Sequence, residues 1–488
     1  MQSLTVPPGG DFSGKRGPGG PRHGRDAAGA DRIVDPRRGT LPPTSDRLAA
    51  TEEERPTTSA GRDRPLRILH VVQGYAPAVG GTERVVQRLS EELVRGHGDE
   101  VTVFTTDAYS AEAFPRPSLP RMPSGWETRN GVRVRRFAVW RMPGALLNVA
   151  QNAAFRWQLP YNEHLRTWYG GPIIPRLAGA VRRFPADVVA ASSFPLLHMY
   201  DALRGAHRSG KPCVLIGGLH PGDRWGFERP RIHRAIAECE RYVAYTAFEA
   251  SRVVERGAAP DDVDVIGLGV DAEPFLAVDP ADAKRRLGLL GGRVIGFVGQ
   301  LGVHKGVDTL LEAMPAIWER CPDVRLVIAG AHTVFAAQVE ARIASYPPEL
   351  RPRVRLMQDF TEAEKPTLFA ALDVFALPSA FESFGISYLE AWAAGKPVIG
   401  CDIGAVACVV DRDRDGLLVP YRSPGKLAEA ALLLLEHPEQ ARAMGAAGRR
   451  KVLREHGWAR VAARFRETYL RAMRGPDGDP RTEARWRS

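Results

Sequence analysis

The chain has 488 residues, 44% of them hydrophobic and 25% charged, with a formal net charge of +10. That length and mixture suit two or three globular domains and exclude a multi-span membrane protein, a disulfide-stapled mini-protein and a largely unstructured polymer. Only 8 of the 67 basic residues are lysine. The arginine bias runs through the whole chain, with no RRM, zinc-finger or helix-turn-helix pattern beside it, so no nucleic-acid partner is expected. A basic face toward phosphates or lipid headgroups fits the charge better.

Residues 1–64 are rich in Gly, Pro and Arg, with 11 basic and 9 acidic side chains. Such a segment buries too little apolar surface to offset its ordering entropy, so a disordered, non-catalytic tail is expected. It lacks the apolar core of a secretory signal. The five cysteines, Cys213, Cys239, Cys321, Cys401 and Cys408, include no closely spaced pair. Buried thiols in a reducing cytosol are expected. The histidines show no HExxH or H-x-x-x-H spacing, so no protein-bound metal is expected.

Ordered structure is predicted to begin at Leu66. Arg67 to Val72 reads as a strand, a helical period starts at Thr82, and Val101 to Thr105 reads as the next strand. Strand, helix and strand in close succession form a βαβ unit, hence a parallel sheet. Val132 to Phe137 alternates like an edge strand. Further strands are predicted at 187–191, 212–216 and 242–245, with helical stretches across 148–184 and 230–241, and the segment 263–269 closes this half. A second α/β half follows: strands at 293–299, 324–329, 354–357, 374–377 and 397–400, each with a helical pattern after it. The hinge falls near Asp271 to Leu287, and the amphipathic stretch from Gly457 to Tyr469 is predicted to cross back. Ligands of open parallel sheets bind beyond the carboxyl ends of the strands, so two facing sheets place a site in the cleft between them.

Three segments carry chemistry. Gly80 and Gly81 precede a helix, where bare backbone either approaches an anionic ligand or simply turns. Gln300 to Gly306 follows a strand and opens a helix. Its Lys305 is either a point-charge phosphate binder or a solvated side chain. Glu382 and Glu390 flank Phe384, Gly385 and Ile386, whose amides open a helix and favour an anion. Carboxylates in that position suit sugar hydroxyls, which they grip with several hydrogen bonds.

Together these segments resemble the retaining glycosyltransferases of family 4, enzymes of the GT-B fold. The matching pieces are Tyr75 to Gly81, Val265 to Asp271, Phe297 to Asp308, and Glu382 to Val398 with its E-x7-E spacing. The resemblance covers about Leu66 to Met473. It implies an α/β GT-B fold: an acceptor-binding Rossmann-like domain at 65–272, a nucleotide-sugar-binding one at 273–455, a returning helix at 456–474 and a disordered tail at 475–488. It implies catalytic roles for Glu382, His220 and Lys305. Donor contacts would come from Gly80, Gly81, Gln300, Lys305, Phe360, Glu382, Phe384, Gly385, Ile386 and Glu390. Glu390 would hold the ribose and Lys305 the diphosphate.

The implied donor is a nucleotide-diphosphate sugar and the acceptor is unidentified: a glycan, a lipid-linked sugar or a small molecule. No cofactor and no metal are implied. A cytoplasmic enzyme, peripheral on an anionic membrane through Arg133, Arg135, Arg136, Arg141, Arg156 and Arg166, is one expectation. A fully solvated arginine set is the other. Two features depart from the family pattern. Gln300 stands where an arginine is usual, and Ala405 and Cys408 replace a glycine and an acid. A nucleotide-sugar epimerase of the same fold and a weakly catalytic nucleotide-sugar sensor are the alternative functions.

Overall fold

Ile68 to Val72 is buried residue after residue, which requires helices on both faces of its sheet. In the structure, a computed structural model, the described residues are 64–474 apart from 79, 115, 117, 141–143, 222, 224, 332–334 and 359. The expected tails, except Arg64, and Arg141 lie outside them.

The first sheet has eight strands: β1 (Arg67–Val71), β2 (Glu100–Thr106), β3 (Gly125–Arg129), β4 (Val132–Phe137), β5 (Val188–Ser192), β6 (Cys213–Ile216), β7 (Arg241–Ala244) and β8 (Val263–Val265). Their order is β3-β4-β2-β1-β5-β6-β7-β8. The second sheet has six: β9 (Val294–Val298), β10 (Arg325–Gly330), β11 (Val354–Gln358), β12 (Val374–Leu377), β13 (Val398–Cys401) and β14 (Gly416–Val419). Their order is β11-β10-β9-β12-β13-β14, parallel throughout. These are two Rossmann-like α/β domains, the GT-B plan. Strand order reverses at β1 in one sheet and at β9 in the other, so the loops after β1, β9 and β12 lie at the switch points where ligands bind.

Several details differ from the sequence reading. Val132–Phe137 is not an edge strand. It pairs with β2 on one side and antiparallel with β3 on the other. The edge, β3, is exposed along most of its length, so it has no apolar alternation to detect. Its readable signal was the Asn130-Gly131 turn, both residues at positive φ, which closes a hairpin. The segment 263–269 that closes the first half begins with the short strand Val263–Val265, and β14 was not anticipated. The helical stretch before β5 divides into Gly144–Arg156, Asn162–Gly170 and Leu177–Arg183. The hinge region holds two short helices, Glu273–Leu276 and Pro280–Arg286. Cys408 is exposed while the other four thiols are buried, because the helix Gly404–Val409 turns Ala405, Val406 and Val409 inward.

The last helix, Trp458–Arg474, packs on Gly81–His97 of the first domain. Phe465 and Tyr469 are fully buried there. Arg466 pairs with Asp99 at 3.0 Å, and the Tyr469 hydroxyl meets His70 Nε2 at 3.0 Å. Gly269 admits this helix, since a Cβ at that position would come within 2.6 Å of the Trp458 ring.

Burial pushes the His70 imidazole down to about 3 and the His198 imidazole down to about 4. Both are neutral in the folded chain. Below pH 6.5 the unfolded chain gains protons that the folded chain refuses, so stability falls with falling pH. Each should remove roughly 2 kcal/mol by pH 5. Urea midpoints measured at pH 7 and pH 5 check this, and an equal or higher midpoint at pH 5 contradicts it.

Candidate functional site

The loop after β9 carries Lys305 and the loop after β12 carries Glu382. Gly306 brings them together. It sits at φ +71°, and a Cβ there would overlap the Pro378 carbonyl, so only glycine lets the two loops touch. Lys305 Nζ then donates to Glu382 Oε1 at 2.6 Å, and Ser379 Oγ donates to the same oxygen at 2.9 Å. Glu382 is 8% exposed. Burial pushes its carboxyl upward, but Lys305 and Ser379 outweigh that and hold it below the usual range.

His220 reaches this pair from the first domain, on the loop after β6. Glu249 fixes that loop. Its Oε1 accepts from the Gly218 and Leu219 amides at 2.9 Å each and from the Tyr242 hydroxyl at 2.7 Å. Burial drives His220 down to about 4, with Glu382 and Lys305 close enough to act on it electrostatically. Its Nδ1 is buried with no hydrogen-bond partner among the described residues. His304 is also lowered to about 4, by burial first and by Lys305 second. Two neutral imidazoles, an ammonium and a carboxylate therefore meet where the domains face each other.

Gly385, at φ +92°, opens the helix Ile386–Ala393. The Phe384 ring is turned away into the core against His456, which leaves its backbone as the part facing the helix start. Glu390, one turn further in, is 7% exposed and accepts from Lys365 Nζ at 3.0 Å. Burial opposes the Lys365 charge, but Glu390 and Glu362 together raise its pKa. Arg84 stands 4.0 Å from Glu362 and 3.3 Å from Asp271, so the helix that begins at Gly81 ties to the second domain at this point. Phe248 of the first domain lies against Gly404 of the second. Gln300 and Phe360 are half-buried and enter neither cluster. Gly81 is exposed, with nothing within 4 Å of a Cβ placed there.

Of the arginines expected at a surface, Arg136 and Arg166 are buried. Arg136 bonds the Tyr75 and Ala76 carbonyls and Glu127. Arg166 bonds the Trp225 carbonyl. Both hold the fold together instead of presenting charge. Among the described residues no group of three or more His, Cys, Asp or Glu is placed to hold a metal.

Comparison with known proteins agrees with this architecture. Residues 79–274 match the family model described as Glycosyltransferase Family 4, and residues 292–437 match Glycosyl transferases group 1. The chain is 32% identical over 325 residues to the D-inositol 3-phosphate glycosyltransferase of Frankia alni, covering 59% of this chain and 79% of that protein. It belongs to the GT-B glycosyltransferases. The similarity to the enzyme of the same description from Segniliparus rotundus is 33% over 243 residues, covering 49% of this chain and 54% of that protein. The chain thus spans about half the length of that relative. Among solved structures, sucrose-phosphate synthase from Thermosynechococcus elongatus shares the fold, with a TM-score of 0.63 at 19% identity, over 83% of this chain and 98% of that one.

In this GT-B glycosyltransferase, Lys365, Glu362, Arg84, His304, Ser379 and Glu249 stand in or behind the cleft without having been singled out from sequence. Thr361 and Glu364 form a capping box, and that T-x-x-E pattern was the one available sign of an ordered turn beside Lys365. Charged residues scattered over 280 positions carry no spacing signal, because the fold alone brings them together.

Proposed function

We propose that the chain is a retaining glycosyltransferase of family 4 that moves a sugar, a hexose by preference, from a nucleotide-diphosphate sugar to an acceptor used in polysaccharide, glycolipid or glycoconjugate synthesis. The observation that carries this reading is the Lys305–Glu382 pair at the strand ends of one domain, faced by His220 from the other. When the glycosidic bond to the donor phosphate breaks, negative charge grows on the leaving oxygen. Lys305 and the amides at Phe384, Gly385 and Ile386 would stabilise that charge. The acceptor oxygen attacks from the same face, and its proton passes to the departing phosphate. Glu382 orients the transferred sugar, and Glu390, with Lys365 released toward Glu362, takes the ribose hydroxyls. His220 is neutral above pH 5 and so offers a hydrogen bond to a sugar hydroxyl without adding charge. Closing the cleft keeps water from competing with the acceptor.

Gln300 supplies the test. Calorimetric titration of the parent with UDP, GDP and ADP should find one that binds. In Gln300→Arg, a guanidinium on the loop that also carries Lys305 should tighten that diphosphate about five- to tenfold by bidentate, charge-assisted bonds. The gain should shrink as salt rises. If none of the three binds, or if the variant binds like the parent, the diphosphate site is elsewhere.

A further inference from the structure

The helix Gly144–Arg156 buries Ala154 and Gln151 but leaves an apolar stripe in solvent. At ~100° per residue, Leu146, Val149, Ala150, Ala153 and Trp157 share one arc of its surface. On a helix packed in the usual sense that arc would be buried. Here Leu146 is 72%, Val149 69% and Trp157 69% exposed, whereas the polar Gln151 on the opposite side is 1% exposed. Trp157 keeps the helical path, its amide bonded to the Ala153 carbonyl at 3.0 Å.

Both flanks extend this surface. Trp140 and Trp168, each about half exposed, share a shallow crevice with Leu147 of the same helix. On the other side Phe155, Leu159 and Tyr161 line the rim of a cavity of ≈ 1480 Å³ that reaches Leu219 and Pro221, the neighbours of His220.

Composition selects the occupant. From Gly144 through Tyr161 there is no aspartate or glutamate, and the single charge is the exposed Arg156. Tryptophan and tyrosine around a short aliphatic stripe are the residues that settle at a membrane–water interface. A stripe without carboxylates meets no repulsion from anionic headgroups, and an arginine at its end is attracted to them. No helix among the described residues is long and apolar enough to cross a membrane, so the contact is of the kind that lies in the headgroup plane.

We propose that this face docks on an anionic membrane, with Leu146, Val149 and Trp157 seated among the headgroups. Docking there sets the rim at Leu159 and Tyr161 against the bilayer. On the transferase reading, the cavity beside His220 then takes its acceptor from the headgroup layer.

The test is flotation of the full chain with phosphatidylcholine vesicles, with and without phosphatidylglycerol. The parent should float with the phosphatidylglycerol vesicles. Leu146→Ser, Val149→Ser and Trp157→Ser combined should lower the bound fraction at least ~tenfold at an unchanged thermal midpoint. Arg156→Glu leaves the apolar stripe intact and should weaken binding severalfold, which keeps the test decisive if the triple variant does not fold. A parent that does not float, variants that float like the parent, or a parent dimer that the triple variant converts to monomer would each overturn the proposal, the last by assigning the face to a second copy of the chain. Vesicle binding needs no donor, so a chain that floats as stated but transfers no sugar overturns the transferase reading and leaves this one standing.

Discussion

Lys305→Ala is expected to lower turnover by about 10²–10³-fold with the fold intact. Its ammonium is the lysine charge on the loop after β9, and Gln300 of the same loop brings hydrogen bonds without charge. The variant also frees Glu382. In the parent, Lys305 and Ser379 hold that buried carboxyl below its ordinary value against burial. Without the lysine, burial is opposed by the Ser379 bond and more weakly by His220, the pKa rises, and the group moves toward the neutral acid. Glu382→Gln should therefore lose activity as well, while the double variant should be little worse than Lys305→Ala alone, because the two side chains act as one unit. Steady-state turnover, with diphosphate affinity by calorimetry, checks both statements. Parent-like turnover in Lys305→Ala removes the lysine from the mechanism.

Asp99→Ala should cost about 3–5 kcal/mol of stability. The Asp99 side chain is fully buried, and Arg466 beside it is 11% exposed. Asp99 also accepts the Leu66 amide at 2.9 Å, so one carboxylate anchors both the start of the first strand and the final helix. Removing it takes the carboxylate away from a guanidinium that is itself mostly buried. The loss should appear as a lower urea midpoint, and the helix Trp458–Arg474 should exchange its amides faster than the rest of the first domain. Asp99→Leu combined with Arg466→Met should recover much of the loss, since a well-packed apolar pair avoids the desolvation that an ion pair incurs. A single variant as stable as the parent would mean that the apolar contacts of Phe465 and Tyr469 hold the helix unaided.

How far the sequence reached depends on the range of the interaction. Buried parallel strands are runs of apolar residues, and β1, β2, β9 and β12 were legible because burial on both faces writes itself into consecutive positions. The amphipathic period of Trp458–Arg474 marked a helix needing a surface to cover. The E-x7-E spacing around Gly385 placed Glu382 and Glu390 on a loop and a helix of one unit, since eight residues suffice to connect them. Local signals failed at β3, whose exposed side chains carry no alternation, and at the helix Gly144–Arg156, whose apolar period reads the same whether the stripe faces the core or the solvent.

Tertiary structure alone decided which charges meet. Lys305 and Glu382 are 77 positions apart, and Arg466 and Asp99 are 367 apart. No spacing rule predicts such pairs, because they form only where two loops or a returning helix converge. The arginines divide for the same reason. Arg133 and Arg136 are near neighbours on one strand, yet the pleat turns Arg133 outward over the Trp126 ring and Arg136 inward to the Tyr75 carbonyl. Composition determined that the chain is arginine-rich. Which arginines hold the fold and which remain on its surface was settled by the direction each side chain takes once the sheet has formed.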